Sequence, residues 1–339
     1  MNRMSYQMLA LLTIATFASN SIAAQELEEI IVTASKRSES LQDVPISIST
    51  LSGAKVADAS MHSLNELSTY VPNFMVSENA VATSLMVRGI GPGANQSFEQ
   101  SVGLFVDGVH YPKGRQTRSG LFDIELVEVL RGPQGNLFGK NTLAGAVNVT
   151  TASARVGEEA SGKLAISAEG NGGQVIEGNL NASTDNFGVR LAFKTRETDG
   201  YVGNSLLQSV MPAIDENLWR LSATWEPTEN TTVKFKHAQG SNTRTGGTAV
   251  LSHWAPVANM TPTSQLMFGV VGALFPQAAV NASTGALDAF RDMESMGGEL
   301  LGTNGMEGTD TETDDTSLNI DIDFGDGYTF TSVTGRSSY

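Results

Sequence analysis

From Lys163 to Tyr339 the chain keeps switching sides. In "KLAISAE" Leu164, Ile166 and Ala168 fall on one side. In "FGVRLAFKTRE" Phe187, Val189, Leu191 and Phe193 share a side, opposite Arg190, Lys194 and Arg196. "LWRLSATWE" sets Trp219, Leu221, Ala223 and Trp225 against Arg220, Ser222, Thr224 and Glu226, and "TVKFKH" and "SLNIDIDFG" repeat the alternation. A period of two puts one set of side chains on each face of a strand. The segments run to about ten residues, the length at which a tilted strand crosses a bilayer, and about seven of them are predicted.

Residues 40–152 follow another grammar. "VPISIS" (44–49) alternates as a strand, and "SGAKVADA" and "SLNELSTY" read as short helices, the second stopped near Pro72. "SLMVRGI" (84–90) reads as a strand ending in glycine. "VGLFVDGVHY" (102–111) holds Asp107-Gly108 between two apolar runs, a hairpin signal. "DIELVEVLRG" (123–132) alternates again, and "GAVNVTT" (145–151) is a last short strand. Strands and helices interleave without strict alternation, so this region is expected to be an α+β domain: a small mixed sheet with short helices.

The start of the chain changes the picture. Arg3 sits in a polar segment, an apolar run covers 8–18, and Ser21-Ile22-Ala23 and Ile22-Ala23-Ala24 both resemble cleavage sites. This reads as a secretory signal peptide, 1–24, because about 11 apolar residues cannot cross a bilayer core that needs about 20. An exported chain without cysteine has no disulfide framework and no thiolate metal site. A net charge of −15, from 36 acidic and 21 basic residues, argues against nucleic acid as a partner.

A β-sandwich also has alternating strands, but two features favour a transmembrane barrel. The polar face is heavily charged, as in a water-facing lumen. Trp219 and Trp225 share a face roughly 20 Å apart, at about 3.3 Å per residue, which suits the two interfaces of an apolar band about 25 Å tall. Short turns (226–230 and Asp326-Gly327) alternate with a long stretch, about 241–315, the expected place of an extracellular loop. Its acidic end (Glu307, Asp310, Glu312, Asp314, Asp315) reads as a solvated loop rather than a cation site. A closed barrel needs at least about eight strands, and one that holds a plug needs about 22. Open edges are not viable in a bilayer, so the 339 residues are expected to be the N-terminal part of a longer protein.

Taken in order, the leading segment, "EEIIVTASKR", "MVRGIG", "VGLFVDGVHY", "DIELVEVLRGPQGNLFGKNTLAGAVNVTT" and the alternating strands resemble the TonB-dependent outer-membrane receptors. The resemblance spans the chain and is most specific over 28–151. It implies a plug domain (40–152) inside a barrel of about 22 strands, of which 153–339 would form the first part. It also implies residence in the bacterial outer membrane as a monomer in contact with lipid. The expected function is import of a scarce ligand, foremost a ferric siderophore complex, driven by TonB and its inner-membrane energising complex. Oligosaccharides, cobalamin and aromatic compounds are alternative ligands in the family. No cofactor is implied beyond the iron carried in the ligand.

The resemblance assigns residues too. Glu28, Glu29, Ile30, Ile31, Val32, Thr33 and Ala34 match the TonB box, within a box-and-linker segment at 25–39. Such a segment, extended and unpaired, is ready to add to the edge of a partner's sheet. Arg88 and Arg131 match arginines that meet acidic barrel residues in relatives, implying a plug–barrel lock. Asn136, Leu143 and Ala144 depart from the family's pattern. Ligand is expected at the apical plug loops, at Asn95, Gln96 and Phe98 in "GPGANQSFEQ" and at Tyr111, Lys113, Arg115 and Arg118 in "YPKGRQTR". A cationic, aromatic patch in a net-acidic chain suits an anionic ligand.

Other chemistries fit less well. "GNLFGKN" fails the phosphate-loop spacing, and "DIDFGDG" fails the calcium-loop pattern. The four histidines stand in no catalytic motif, so no enzyme is expected. A passive porin would account for the strands but not for the plug or 28–34. An adhesin would account for the long loop but not for the plug.

Overall fold

The computed structural model describes residues 31–33, 39–78, 83–92, 99–118, 120–204, 209–245 and 308–339. The signal segment lies outside them. The chain forms two compact units, 1–44 and 45–339. In the first, β1 (Ile31–Val32) pairs antiparallel with β2 (Glu39–Ser40), Ile31 opposite Ser40 and Val32 opposite Glu39. Val32 is buried and Ile31 half-exposed.

The second unit opens with the plug. Its elements are β3 (Ser47–Ser52), α1 (Gly53–Asp58), α2 (Leu64–Ser68), β4 (Phe74–Glu78), β5 (Thr83–Val87), β6 (Val102–Val106) and β7 (Val109–Tyr111). A 3₁₀ turn (Gln116–Arg118), β8 (Ile124–Arg131), α3 (Gly135–Phe138) and β9 (Gly145–Thr151) complete it. Both longer helices start on a serine cap: Ser52 accepts from the Lys55 amide, and Ser63 from that of Glu66. One sheet runs β3-β8-β9-β6-β7, with β6 and β9 parallel and the other pairs antiparallel. This is the mixed sheet expected. β4 and β5 form a separate two-stranded sheet.

Local chemistry sets several boundaries. The first strand of the sheet begins at Ser47 rather than at 44, because Pro45 has no N–H to give to a ladder. Asp107 and Gly108, with φ of 50° and 82°, make the two-residue turn between β6 and β7. A Cβ at Gly145 would lie 2.3 Å from the Leu130 carbonyl oxygen, so β8 and β9 close here only around glycine. Leu67, Leu85, Val87, Val102, Val127, Val129 and Val147 form the fully buried heart of the plug.

Beyond residue 160 stands a wall of seven antiparallel strands: β10 (Ser161–Ala168), β11 (Gln174–Ser183), β12 (Phe187–Thr198), β15 (Ala213–Thr228), β16 (Thr231–Thr245), β17 (Gly308–Gly325) and β18 (Tyr328–Ser338). A small hairpin, β13 (Val202–Asn204) with β14 (Ser209–Met211), interrupts the run. The strand count matches the alternation. Leu164, Ile166, Leu191, Trp219, Leu221 and Trp225 all lie on the exposed outer face. Among the described strands, β10 and β18 are the open edges.

The long connection is shorter at both ends than the expected 241–315. β16 reaches Thr245 and β17 begins at Gly308, leaving 246–307 outside the described residues. Asp310, Glu312, Asp314 and Asp315 therefore belong to a strand paired with β16, not to a solvated loop. Their run alternates threonine with acid, a period-two pattern that a count of apolar residues misses. Glu307 lies outside the described residues. Short turns join β11 to β12, β15 to β16 and β17 to β18 at one rim, and the connections from β12 to β15 and from β16 to β17 leave from the far rim.

Candidate functional site

The charged face of the wall does not line open water. The plug covers it. Lys194, Glu216, Arg220 and Lys236 are all buried. β12, β15 and β16 contribute the cations Arg190, Lys194, Arg196, Arg220, Lys236 and Arg244, and the plug contributes Glu66, Glu78, Asp107 and Asp123. Within a net-acidic chain, the wall's inner face is locally basic and the plug answers it with carboxylates.

Polar joints carry much of the contact. Arg190 grips Asp123 with two nitrogens, Nε at 2.8 Å from Oδ2. Arg220 stacks over the Phe122 ring at 4.2 Å and donates to the carbonyls of Phe122 and Asp123. Lys236 donates to Asp107 Oδ1 at 2.8 Å and to the Thr151 carbonyl at 2.7 Å. Arg196 pairs with Glu66 at 3.2 Å and with Glu169 at 3.0 Å. A further pair, Arg244 with Glu78 at 2.6 Å, sits at the far end of β16. Lys194, fully buried, lies 2.9 Å from Glu216 and donates to the Leu121 carbonyl. Phe122, Ala192 and Leu218 add a small apolar contact.

Burial alone would raise the Asp107 carboxyl. The charges of Lys236 and Arg220, with hydrogen bonds from Lys236 and Thr151, outweigh it and hold the group below the usual carboxylate range. His62 lies with Nε2 2.9 Å from Glu169. Burial, and then the charges of Lys194 and Arg196, push it down to about 3, so the imidazole meeting Glu169 is neutral at ordinary pH. A cavity of about 830 Å³ lies between plug and wall, bordered by Asp123, Arg190, Lys163 and Glu177. Among the described residues no group of His, Asp or Glu is placed to hold a metal ion.

The residues singled out from the sequence are distributed as follows. Of 28–34, residues Ile31, Val32 and Thr33 are described. Ile31 and Val32 are not unpaired, as expected, but form the two-residue ladder with β2. Each strand of such a ladder still has a second, unpaired edge. Glu28, Glu29, Ile30 and Ala34 lie outside the described residues, as do Asn95, Gln96 and Phe98. Arg131 donates to the carbonyls of Pro72 and Ile48, within the plug, and Arg88 is exposed in a turn at φ 52°. Neither makes an ion pair with the described wall strands, where other residues join plug to wall. Lys113 and Arg115 are exposed. Tyr111 and Arg118 are buried: the Tyr111 hydroxyl bonds to Asp315, and Arg118 donates to Thr83 and Thr309. These two act as joints of plug to wall rather than as an open patch.

The joints had one legible signal in the sequence. The basic residues of β12 and β15 fall on the face opposite the apolar positions, which places them on the inner face. Their acidic partners gave none, because each lies far away along the chain, 67 residues for Asp123 with Arg190 and 166 for Glu78 with Arg244.

Residues 40–146 match the family model of the TonB-dependent receptor plug domain. The pesticin receptor of Yersinia pestis is 31% identical over 144 residues, 41% of this chain and 21% of that protein. A vitamin B12 transporter of Vibrio vulnificus is 30% identical over 199 residues, 52% of this chain and 30% of that protein. Among solved structures, the ferric yersiniabactin uptake receptor of Yersinia pestis has a TM-score of 0.63 at 17% identity, covering 86% of this chain and 40% of its own. The ferric-catecholate import receptor of E. coli, in its open form, has a TM-score of 0.63 at 15% identity, covering 88% and 39%. The chain thus spans 21% and 30% of the lengths of these two curated relatives. Residues 40–146 thus form a TonB-dependent receptor plug domain, and the whole chain shares the fold of these solved receptors, a plug followed by an antiparallel sheet.

Proposed function

We propose that this chain serves the TonB-dependent import of a ferric siderophore complex across the bacterial outer membrane. The observation that carries the reading is the plug itself, seated on the inner face of a barrel wall through ionic joints rather than through a continuous apolar seam. A wall that carried a passive pore would have no use for such a stopper. The relatives support the ligand class: a pesticin receptor, a ferric yersiniabactin uptake receptor and a ferric-catecholate import receptor. Residues 28–34 would recruit TonB by strand addition, main-chain hydrogen bonds carrying the pull. Uptake of radio-iron chelates by iron-starved cells that express the whole receptor tests this. Uptake should require TonB and be lost when 28–34 are deleted, while chelate binding persists. Uptake that survives loss of TonB would make the protein a passive pore. Uptake of cobalamin but of no iron chelate would keep the machine and change its cargo.

A further inference from the structure

The outer face of the wall changes character along its strands. Register partners on neighbouring strands point to the same side, so the face can be followed row by row. One row runs Leu191, Leu221, His237, Thr316 and Arg336 across β12, β15, β16, β17 and β18. The next row, away from the far rim, runs Val189, Ala223, Phe235, Leu318 and Thr334. Toward the far rim, the last large apolar residue on this face is Trp219 on β15, Phe235 on β16, Leu318 on β17 and Phe330 on β18. The limit of the apolar surface thus steps down across the rows. Tilted strands that cross a level boundary do this, so the limit marks the edge of an apolar slab.

Just beyond that edge the face carries charges of both signs. Arg336 and Glu312 are exposed, and neither has an ion-pair partner among the described residues. His237 Nδ1 lies 3.0 Å from Thr316 Oγ1, and its ring meets Trp219 edge-on at 5.4 Å. One row nearer the far rim stand Trp219, Gln239, Asp314 and Ser338, and beyond them Asn217, Ser241 and Glu312. Gln239 Nε2 donates to Asp314 Oδ2 at 2.9 Å. A groove of about 560 Å³ runs between these two rows, bordered by Trp219, Asn217, Gln239, Ser241, Glu312 and Asp314.

We propose that this groove and the row below it hold the head of a membrane lipid that carries ethanolamine phosphate. The acyl chains lie on Phe235, Leu318 and Phe330. The phosphate meets the Arg336 guanidinium and the Thr316 hydroxyl, and the ammonium enters the groove to meet Asp314 and Glu312 beside the Trp219 ring. A planar guanidinium binds phosphate oxygens in pairs. An ammonium is drawn both by carboxylates and by the face of an indole. Thr316 and Asp314 are two residues apart on one face, about 7 Å, a gap that a phosphate and an ammonium joined by two carbons can bridge. A purely anionic head would face two carboxylates, and a head without phosphate would leave Arg336 unmatched. A quaternary ammonium has no N–H to donate. The inference holds whatever the receptor imports.

The test places the full-length receptor in phosphatidylcholine bilayers and titrates in lipids brominated near the head. The Trp219 signal is the difference between the wild type and Trp219→Phe. Phosphatidylethanolamine should quench it with an association about fivefold above that of phosphatidylcholine or phosphatidylglycerol, and a chelator should leave the ratio unchanged. Arg336→Gln should bring the ratio to about one, as should Glu312→Gln combined with Asp314→Asn, while Arg336→Lys should keep part of it. The Trp225 signal, taken in the same way, should show no preference in any variant, which separates loss of the site from loss of the barrel. Equal association of the three lipids at Trp219 would overturn the proposal. So would a preference for phosphatidylglycerol that a chelator abolishes, because a divalent cation rather than an ammonium would then answer the carboxylates.

Discussion

Asp107 shows how much one side chain does in this molecule. It sits at positive φ in a two-residue turn, accepts from the Thr151 amide and hydroxyl, and takes the charge of Lys236. Asp107→Ala should cost about 3–5 kcal/mol, because it leaves a buried ammonium without a counter-charge. Adding Lys236→Met should recover much of that loss, since replacing both partners removes the orphan. Urea midpoints of the single and double variants measure the difference. His62 gives the pH dependence its sign. Unfolded, it titrates near 6.5; folded, near 3, so between those values the unfolded chain binds more protons. Stability from this residue is full above about pH 6.5 and falls as the pH drops toward about 3. His62→Gln should flatten that stretch of the stability–pH curve. Asp107, depressed below its usual range, adds a loss in the same direction at still lower pH.

At the scale of elements, the close approaches are the brittle points. Gly145→Ala drives a Cβ into the backbone oxygen of Leu130, which cannot swing away, and should lower plug stability by about 1–3 kcal/mol. Gly108→Ala forces a left-handed conformation on a residue with a side chain, at about 1–2 kcal/mol, and also crowds Val333 on the wall at 3.2 Å. Thermal midpoints of the two variants should both fall, but only the second should also loosen the plug from the wall. Most elements were legible because their periods are strong: the outer-face apolar residues of β12 and β15 announce strands without help. β4 was not, since "FMVSE" is too short to alternate visibly and becomes a strand only by pairing with β5. The acid–threonine half of β17 hid for a different reason: both of its faces are polar. The plug–wall joints were half legible. Their bases follow the strand period, while their acids are chosen by where the plug docks, which no local pattern encodes.

At the scale of the whole molecule the two surfaces of the wall divide the labour. The outer face shows Leu164, Ile166, Leu191, Trp219 and Trp225, and the inner face shows charge to the plug. Trp219 and Trp225 should be quenched by brominated lipids in a Trp254→Phe background, and the two should differ with bromine depth, since they lie toward opposite ends of the apolar band. Equal, weak quenching of both would contradict a lipid-facing outer surface. The inner surface has another consequence. Among the described residues, what separates when the plug leaves the wall is mostly carboxylate, guanidinium, ammonium and carbonyl, with small apolar contacts such as the patch of Phe122, Ala192 and Leu218 to wet. Hydrating polar groups lowers heat capacity and hydrating apolar ones raises it. Withdrawal of an intact plug should therefore register in a calorimeter as a heat-capacity change near zero or negative, whereas melting the plug's valine-rich interior would give a large positive one. A thermogram can thus tell whether the stopper is drawn out whole or unravelled on the way.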